Sequence, residues 1–398
     1  MSLDVPSDRF HTLAVTKVRP EAGSSVVLTL SVPQEKHDLF AFEPGQFVTL
    51  QASIDGQWVR RNYSICSSRQ HYEKTKTFEV GIRVVPQGRF SSWAATQLNV
   101  GDVLSVMPPE GRFVSRLPSA KHRVGFAAGS GITPILSILR STLEDDASSR
   151  FTLVYGNRQP SSVMFNEVLQ DLKDRDTDRL TLINIWSRQI QEFELLQGHI
   201  DEAKVHALMQ TLIPSHEVDE VFVCGPSGMI EATVKALVQA GVETELIRTE
   251  WFASPDANPD SPKPWLEGSP STASTSSGAV SLTLIMDGKQ HTLRMNPDQT
   301  VLEVGLAAGL DLPFSCRGGV CCTCRAKLLH GSVNMAKNFT LEPWETKQGF
   351  VLSCQSSPSS EAITLSFSRF VRCQLREILS GLSFCSSRSM KSSFPGNQ

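Results

Sequence analysis

The sequence predicts a multidomain protein with an antiparallel β-rich unit, an α/β unit around a parallel sheet, and a smaller α+β unit. Short apolar runs separated by turn residues fill 1–118, whereas strand-like and helix-like segments alternate over 119–253. A linker rich in Ser and Pro, 254–279, precedes a third unit at 280–368 that contains a cysteine cluster. Residues 369–398 hold seven serines and five basic residues against one acidic residue, which predicts a disordered tail.

Composition excludes several classes of function. The 398 residues carry 38 basic and 41 acidic side chains, a net charge of −3, which argues against a nucleic-acid binder. The longest apolar stretch, Val124 to Leu139, is too short and too interrupted to span a bilayer. The start MSLDVPSDRF lacks the pattern of an export signal, so we expect a cytoplasmic protein with no membrane span. In a reducing compartment, clustered cysteines indicate a metal site rather than disulfides.

Residues 1–118 contain five short apolar or alternating segments, FHTLAVTKV, SSVVLTLSV, GQFVTLQASI, TFEVGIRVV and DVLSVMP. Turn signals such as Pro44-Gly45 and Asp55-Gly56 separate them. Several short strands at this spacing predict a barrel or a sandwich.

Residues 119–253 show a different rhythm. Five strand-like segments, from RVGFAAGSG to TELIRTEWF, alternate with four amphipathic segments of helical period. This alternation predicts a parallel sheet covered by helices on both faces.

The cysteine cluster is the strongest signal in the sequence. Its first three members follow the spacing C-x4-C-x2-C, and the fourth lies well downstream of the third: Cys316, Cys321, Cys324 and Cys354. This spacing is typical of a plant-type [2Fe–2S] cluster, whose two irons need four converging thiolates. A zinc site is the alternative, although zinc favours paired C-x2-C knuckles. Cys322 is interpreted as a space-filling residue.

Two segments of the first unit suit a flavin. The motif R-x-Y-S offers an arginine for a phosphate, an aromatic ring for the isoalloxazine and a hydroxyl for the flavin edge: Arg61, Tyr63 and Ser64. A second turn could bring backbone N–H groups and a hydroxyl to the same pyrophosphate: Gly88, Arg89, Phe90 and Ser91. The alternative is an ordinary turn glycine followed by a helix cap.

Two glycine-rich turns follow strands of the second unit. The first feeds a helix N-terminus and contains Gly129, Gly131, Thr133 and Pro134. The second contains Cys224, Gly225 and Pro226. Because ligands of α/β sheets bind at the carboxyl ends of strands, the two turns predict a nicotinamide dinucleotide site. Cys224 either borders the nicotinamide or is a buried structural cysteine.

Basic residues after two further strands bear on the choice of cofactor. Arg158 follows the second strand, and Ser187 and Arg188 follow the third. An arginine and a hydroxyl at this position suit a 2′-phosphate, so NADPH is favoured over NADH. Ordinary surface arginines are the alternative interpretation.

Taken in order, the motifs R-x-Y-S, GSGITP, CGPSGM and the four cysteines resemble the ferredoxin–NADP reductase family with a C-terminal plant-type ferredoxin module. The resemblance covers residues 9–368 and is nearest to the reductase subunits of phenylacetyl-CoA epoxidases. It implies an antiparallel β-barrel flavin domain and an α+β ferredoxin-like (β-grasp) domain. It also implies FAD rather than FMN, with Thr133 and Cys224 near the nicotinamide and Phe252 against the flavin. Ser64, Cys224 and Phe252 are the implied catalytic residues.

The combination predicts an oxidoreductase that passes electrons from NAD(P)H through FAD and a [2Fe–2S] cluster to an oxygenase component. By resemblance, that oxygenase acts in phenylacetyl-CoA epoxidation during phenylacetate degradation. One alternative is a reductase for another oxygenase, of the Rieske or 3-ketosteroid hydroxylase type. A non-catalytic assembly subunit and a zinc-stabilised interaction module are the others.

Overall fold

The computed structural model describes residues 9–22, 24–252 and 280–367. The predicted linker, 254–279, and the predicted tail, 369–398, lie outside the described residues. Within the described ranges, no helix is both long and apolar enough to cross a membrane.

The first unit is a six-stranded antiparallel sheet in the order β4-β3-β6-β1-β2-β5. A bridge between Ile65 and Val80 joins the end of β4 to β5, which closes the sheet into the predicted barrel. Its strands and helices are β1 (His11–Glu21), β2 (Ser25–Ser31), β3 (Phe47–Ile54), β4 (Gln57–Ser64), α1 (Arg69–Thr75), β5 (Thr77–Arg83), α2 (Arg89–Thr96) and β6 (Val103–Val106). Alternate side chains such as Leu28 and Leu30 point inward and fill the barrel.

The second unit is a five-stranded parallel sheet in the order β11-β10-β7-β8-β9, with two helices on each face. Its elements are β7 (His122–Ala128), α3 (Ile132–Asp145), β8 (Arg150–Asn157), α4 (Asn166–Arg175), β9 (Leu180–Trp186), α5 (Glu202–Thr211), β10 (Glu220–Gly225), α6 (Ser227–Gln239) and β11 (Ile247–Trp251). The predicted alternation of strands and helices is confirmed. The strand order reverses between β7 and β10, which is the switch point where such sheets bind ligands.

The third unit is a mixed five-stranded sheet in the order β13-β12-β18-β14-β16, with a separate β15-β17 pair. Its elements are β12 (Val280–Met286), β13 (Lys289–Met295), α7 (Val301–Ala307), β14 (Arg325–His330), β15 (Val333–Met335), α8 (Pro343–Lys347), β16 (Phe350–Leu352), β17 (Ser356–Pro358) and β18 (Ala362–Ser366). Thr300 and Glu303 cap α7 reciprocally. The parallel pairing of β12 with β18 beside antiparallel hairpins gives the predicted α+β fold.

Candidate functional site

The loop between α7 and β14 carries three of the predicted cysteines, and the turn between β16 and β17 brings Cys354 to them, so that the four form two pairs. The thiols of Cys316 and Cys321 are hydrogen-bonded to each other, and so are those of Cys324 and Cys354. The hydrogen bond from Cys321 lowers the pKa of Cys316. The N–H of Gly318 donates to Cys316 Sγ at 3.4 Å, so backbone donors already point at a sulfur.

Two pairs of thiols are the donor set that a [2Fe–2S] cluster needs, because each iron takes two cysteine sulfurs. The residues present therefore fit such a cluster.

Cys322 stands apart from these pairs. It adopts a left-handed backbone, φ 58°, and its Sγ lies 3.1 Å from the hydroxyl of Thr340. Burial raises the pKa of this thiol to about 11.

The end of β4 presents the three residues of the R-x-Y-S motif. Arg61 is half-buried and donates to the Arg60 carbonyl at 2.7 Å, and burial lowers its pKa. The Tyr63 ring packs 5.5 Å from the ring of Phe90, which is 1% exposed and belongs to the barrel core. Burial raises the pKa of Tyr63 and keeps its phenol neutral. Ser64 is buried at the strand end.

The turn at residues 88–91 is a tight cradle. A Cβ on Gly88 would fall 2.5 Å from both Ser91 Oγ and Val85 Cγ2, so a larger residue would displace these side chains. The Ser91 hydroxyl donates to the Gly88 carbonyl at 3.2 Å and accepts from the Val85 N–H at 3.3 Å. The guanidinium of Arg89 donates to the Ile54 carbonyl at 2.9 Å, which ties this turn to the β3–β4 hairpin.

The two glycine turns of the second unit are in direct contact. A Cβ on Gly131 would lie 2.1 Å from the carbonyl oxygen of Cys224, and a Cβ on Gly225 would meet Met229 at 2.7 Å. Gly131 and Gly225 therefore allow the two turns to approach closely at the point where the sheet order reverses, which is where such sheets bind ligands. Cys224 is fully buried, and burial raises the pKa of its thiol.

The rest of the first turn is fixed locally. Thr133 is buried and donates through Oγ1 to the Ser130 carbonyl at 2.9 Å. Pro134 is buried in the first turn of α3, and Pro226 precedes the first residue of α6. The hydroxyl of Tyr155 donates to the Gly129 carbonyl at 2.9 Å.

The predicted residues for a 2′-phosphate lie side by side. The N–H of Arg188 donates to the carbonyl of Arg158 at 2.9 Å, and both residues are exposed at the carboxyl edge of the sheet. Ser187 joins the same edge through its N–H, which donates to the Asn157 carbonyl.

Two neighbours of this site escaped the sequence analysis. Glu250 lies beside Cys224 in the register of β10 and β11, and burial raises its pKa to about 8. A Cβ on Gly129 would fall 2.4 Å from Arg83 Nη1, so the end of β5 reaches the first glycine turn. No local sequence pattern marks Glu250 or Arg83, because each meets the site through a strand neighbour or through packing of the barrel on the sheet. Phe252 is 41% exposed directly after β11.

The cysteine loop of the third unit packs against β4 of the first, the strand that ends in the R-x-Y-S motif. The Phe314 ring packs against two guanidinium groups, that of Arg60 from β4 and that of Arg317 from the loop, each 4.5 Å from its centroid. Trp251, at the end of β11, packs 5.3 Å from Phe339. The fold therefore places the loop against the strand that carries Arg61.

Three family models match the chain in this order. An oxidoreductase FAD-binding domain covers residues 13–115, an oxidoreductase NAD-binding domain covers 126–235, and a 2Fe-2S iron-sulfur cluster binding domain covers 284–359.

Two curated relatives match over nearly their whole length. The chain is 38% identical to the E subunit of 1,2-phenylacetyl-CoA epoxidase from Escherichia coli, covering 90% of this chain and 98% of that protein. It is 31% identical to the ferredoxin reductase component of 3-ketosteroid-9-alpha-monooxygenase from Rhodococcus rhodochrous, covering 92% and 99%.

Solved structures share the fold. Phthalate dioxygenase reductase matches with a TM-score of 0.57 at 21% identity, covering 90% of this chain and 98% of that one. An intact type IV self-sufficient cytochrome P450 monooxygenase matches with a TM-score of 0.66 at 21% identity, covering 92% and 42%.

Proposed function

The chain belongs to the family of oxygenase reductase components that join FAD-binding, NAD-binding and 2Fe-2S domains, and on that premise we propose that it delivers electrons from NADPH to the oxygenase of a phenylacetyl-CoA epoxidase. The electron path rests on one observation, the contact of the cysteine loop with β4 through Phe314. The choice of oxygenase rests on the 38% identity to the Escherichia coli protein.

FAD suits this arrangement because a flavin accepts two electrons from a nicotinamide and passes them on singly. Arg61 is the proposed phosphate clamp, and the backbone of the 88–91 turn is the proposed second clamp. Tyr63 offers its ring to the flavin and is held from behind by Phe90. Ser64 ends the same strand and offers its hydroxyl to the flavin edge.

For the dinucleotide, we place the pyrophosphate on the backbone of Gly129 and Gly131 at the start of α3. Cys224 and Thr133 shape the adjacent pocket for the nicotinamide. Phe252 follows directly on β11 and closes this pocket from the edge of the sheet.

NADPH rather than NADH is the proposed donor because Arg158 and Arg188 stand together at the carboxyl edge. Two guanidinium groups bind a 2′-phosphate strongly, whereas a free ribose hydroxyl gains little from them.

The four cysteines are the proposed cluster ligands, with Cys316 and Cys321 on one iron and Cys324 and Cys354 on the other. The chain contributes amide donors to the sulfurs, among them Gly318 N–H and Gln355 Nε2. Such donors stabilise the more negative state of a cluster and so raise its potential.

The oxygenase of a 3-ketosteroid monooxygenase is the second candidate acceptor, because the chain is 31% identical to the reductase component of such a system over nearly its whole length. An assembly subunit without chemistry is disfavoured by the intact glycine cradles and thiol pairs.

The test begins with an anaerobic absorption spectrum of the purified protein. Flavin bands with a red-brown shoulder, bleached by NADPH, are the expected result. The oxygenase components of the Escherichia coli phenylacetyl-CoA epoxidase are then added with phenylacetyl-CoA, and the epoxide is measured. Bleaching without epoxide refutes the choice of acceptor, and a spectrum that lacks the cluster refutes the electron path.

A further inference from the structure

Two charge pairs join the third unit to the segment between β6 and β7. Glu345 on α8 accepts both terminal nitrogens of Arg112, one at 2.5 Å. Glu342, the residue before α8, accepts Arg116 Nη2 at 2.5 Å. Each of these two glutamates of the iron–sulfur unit thus pairs with an arginine from the rest of the protein.

Contacts within the third unit hold the Glu345 carboxylate in a position where it can bind a guanidinium. Its side chain is completely buried, and although burial acts to raise its pKa, the hydrogen bonds and charge of Arg112 together with the donors of Glu342 and Arg325 outweigh that effect and lower the pKa. Arg325 Nη1 also donates to it at 2.5 Å, and the N–H of Glu342 donates at 3.0 Å. These two contacts lie within the third unit, so they keep the carboxylate in place when Arg112 is replaced by another cation.

The same edge borders the cysteine loop. Cys324 and Cys354 belong to the hydrophobic core of the third unit, which covers that side of the loop. Cys322, beside the ligand Cys321, is close enough to Arg112 and Glu345 to interact with their charges. An open cleft of about 1460 Å³ is lined by residues 320–323 together with Arg116 and Glu342.

We propose that Glu342 and Glu345 form a docking edge that the iron–sulfur unit uses twice: with Arg116 and Arg112 of its own chain, and then with lysines or arginines of the protein that accepts the electron. This inference rests on the proposed function. One electron leaves the reduced cluster, the acceptor gains it, and the cluster returns to its oxidised state. An acceptor must approach the loop edge closely, and that edge is covered by the two arginines, so the acceptor replaces them with its own cations.

A charge swap separates the two uses of this edge. NADPH supplies the electrons, stopped-flow bleaching reports reduction of the cluster, and cytochrome c serves as a lysine-rich protein acceptor. In Glu342→Arg, the rate of bleaching and the rate of cytochrome c reduction both fall by about tenfold or more. In the double variant Arg116→Glu with Glu342→Arg, bleaching returns to within about twofold, whereas cytochrome c reduction stays low. The rate at which ferricyanide, a small anion, is reduced changes in parallel with the bleaching rate in every variant.

Recovery of cytochrome c reduction in the double variant overturns the inference, because the acceptor would then not recognise Glu342. Unchanged bleaching in Glu342→Arg also overturns it, because the internal pair would then have no role in docking. Glu361→Arg, at an exposed glutamate of the same unit, is the matched control and leaves all three rates unchanged. Failure of the wild-type protein to bleach with NADPH is a different result and refutes the proposed function itself.

Discussion

Replacing Gly131 by alanine tests the contact between the two glycine turns. The new Cβ would lie 2.1 Å from the Cys224 carbonyl oxygen and 2.6 Å from its carbon. Both neighbours are backbone atoms, so the turns must separate by about 1 Å to reach ordinary contact distance. The backbone of Gly131, φ −60° and ψ −11°, is one that alanine adopts readily, so the whole effect is steric. We expect a loss of about 1–3 kcal/mol in unfolding free energy.

The same shift displaces the N–H groups of the first turn. We therefore expect the Kd of NADP⁺ to rise by about tenfold or more, which corresponds to about 1.4 kcal/mol. Urea unfolding followed by circular dichroism gives the stability, and titration of the oxidised protein with NADP⁺ gives the affinity. Gly228→Ala is the stability control, because nothing lies within 4 Å of its Cβ position on α6 and alanine favours a helix. Equal unfolding free energies for the two variants would refute the reasoning.

Three further predictions concern single side chains. Arg188→Ala raises the KM for NADPH by about tenfold and leaves the KM for NADH near its original value, because only the contact with the 2′-phosphate is lost. Steady-state kinetics measures both KM values, with Gln189→Ala as the control variant. Equal effects on the two cofactors would contradict this prediction. Cys354→Ser loses iron and sulfide but keeps flavin, whereas the control Cys322→Ser keeps all three. Chemical analysis of iron, sulfide and flavin in the purified variants measures this. A full cluster in Cys354→Ser would exclude that residue as a ligand. Burial lowers the pKa of His122, so its contribution to stability is present above about pH 6.5 and is lost as the pH falls through the folded-state pKa. Urea unfolding between pH 7 and pH 5 should therefore show a smaller loss in His122→Gln than in the wild-type protein, and an identical loss would be evidence against this sign.

Local patterns predicted most of the fold. The alternation of strand and helix over 119–253 follows from hydrophobic period alone, and the structure contains the same five strands and four helices. The residues of the first unit did not distinguish a barrel from a sandwich. Only the bridge from Ile65 to Val80 closes it, and such pairing between distant strands has no local signal.

Chain-distant contacts account for the features of the site that sequence reasoning missed. Glu250 meets Cys224 because β10 and β11 are parallel neighbours, and Arg83 reaches Gly129 because the barrel packs against the sheet. Neither contact leaves a mark in the residues around it.

The sequence by itself determined the chemistry this protein can hold. Three features require particular residue types at short range and can therefore be recognised in the sequence. They are four thiols at plant-type spacing, two glycine turns after strands and one R-x-Y-S segment. Tertiary structure decided how these parts meet: which thiols pair, that Gly131 abuts Cys224, and that Glu345 is buried against Arg112. Those contacts join residues up to 233 positions apart, and their energies depend on distance and burial, which exist only once the chain has folded.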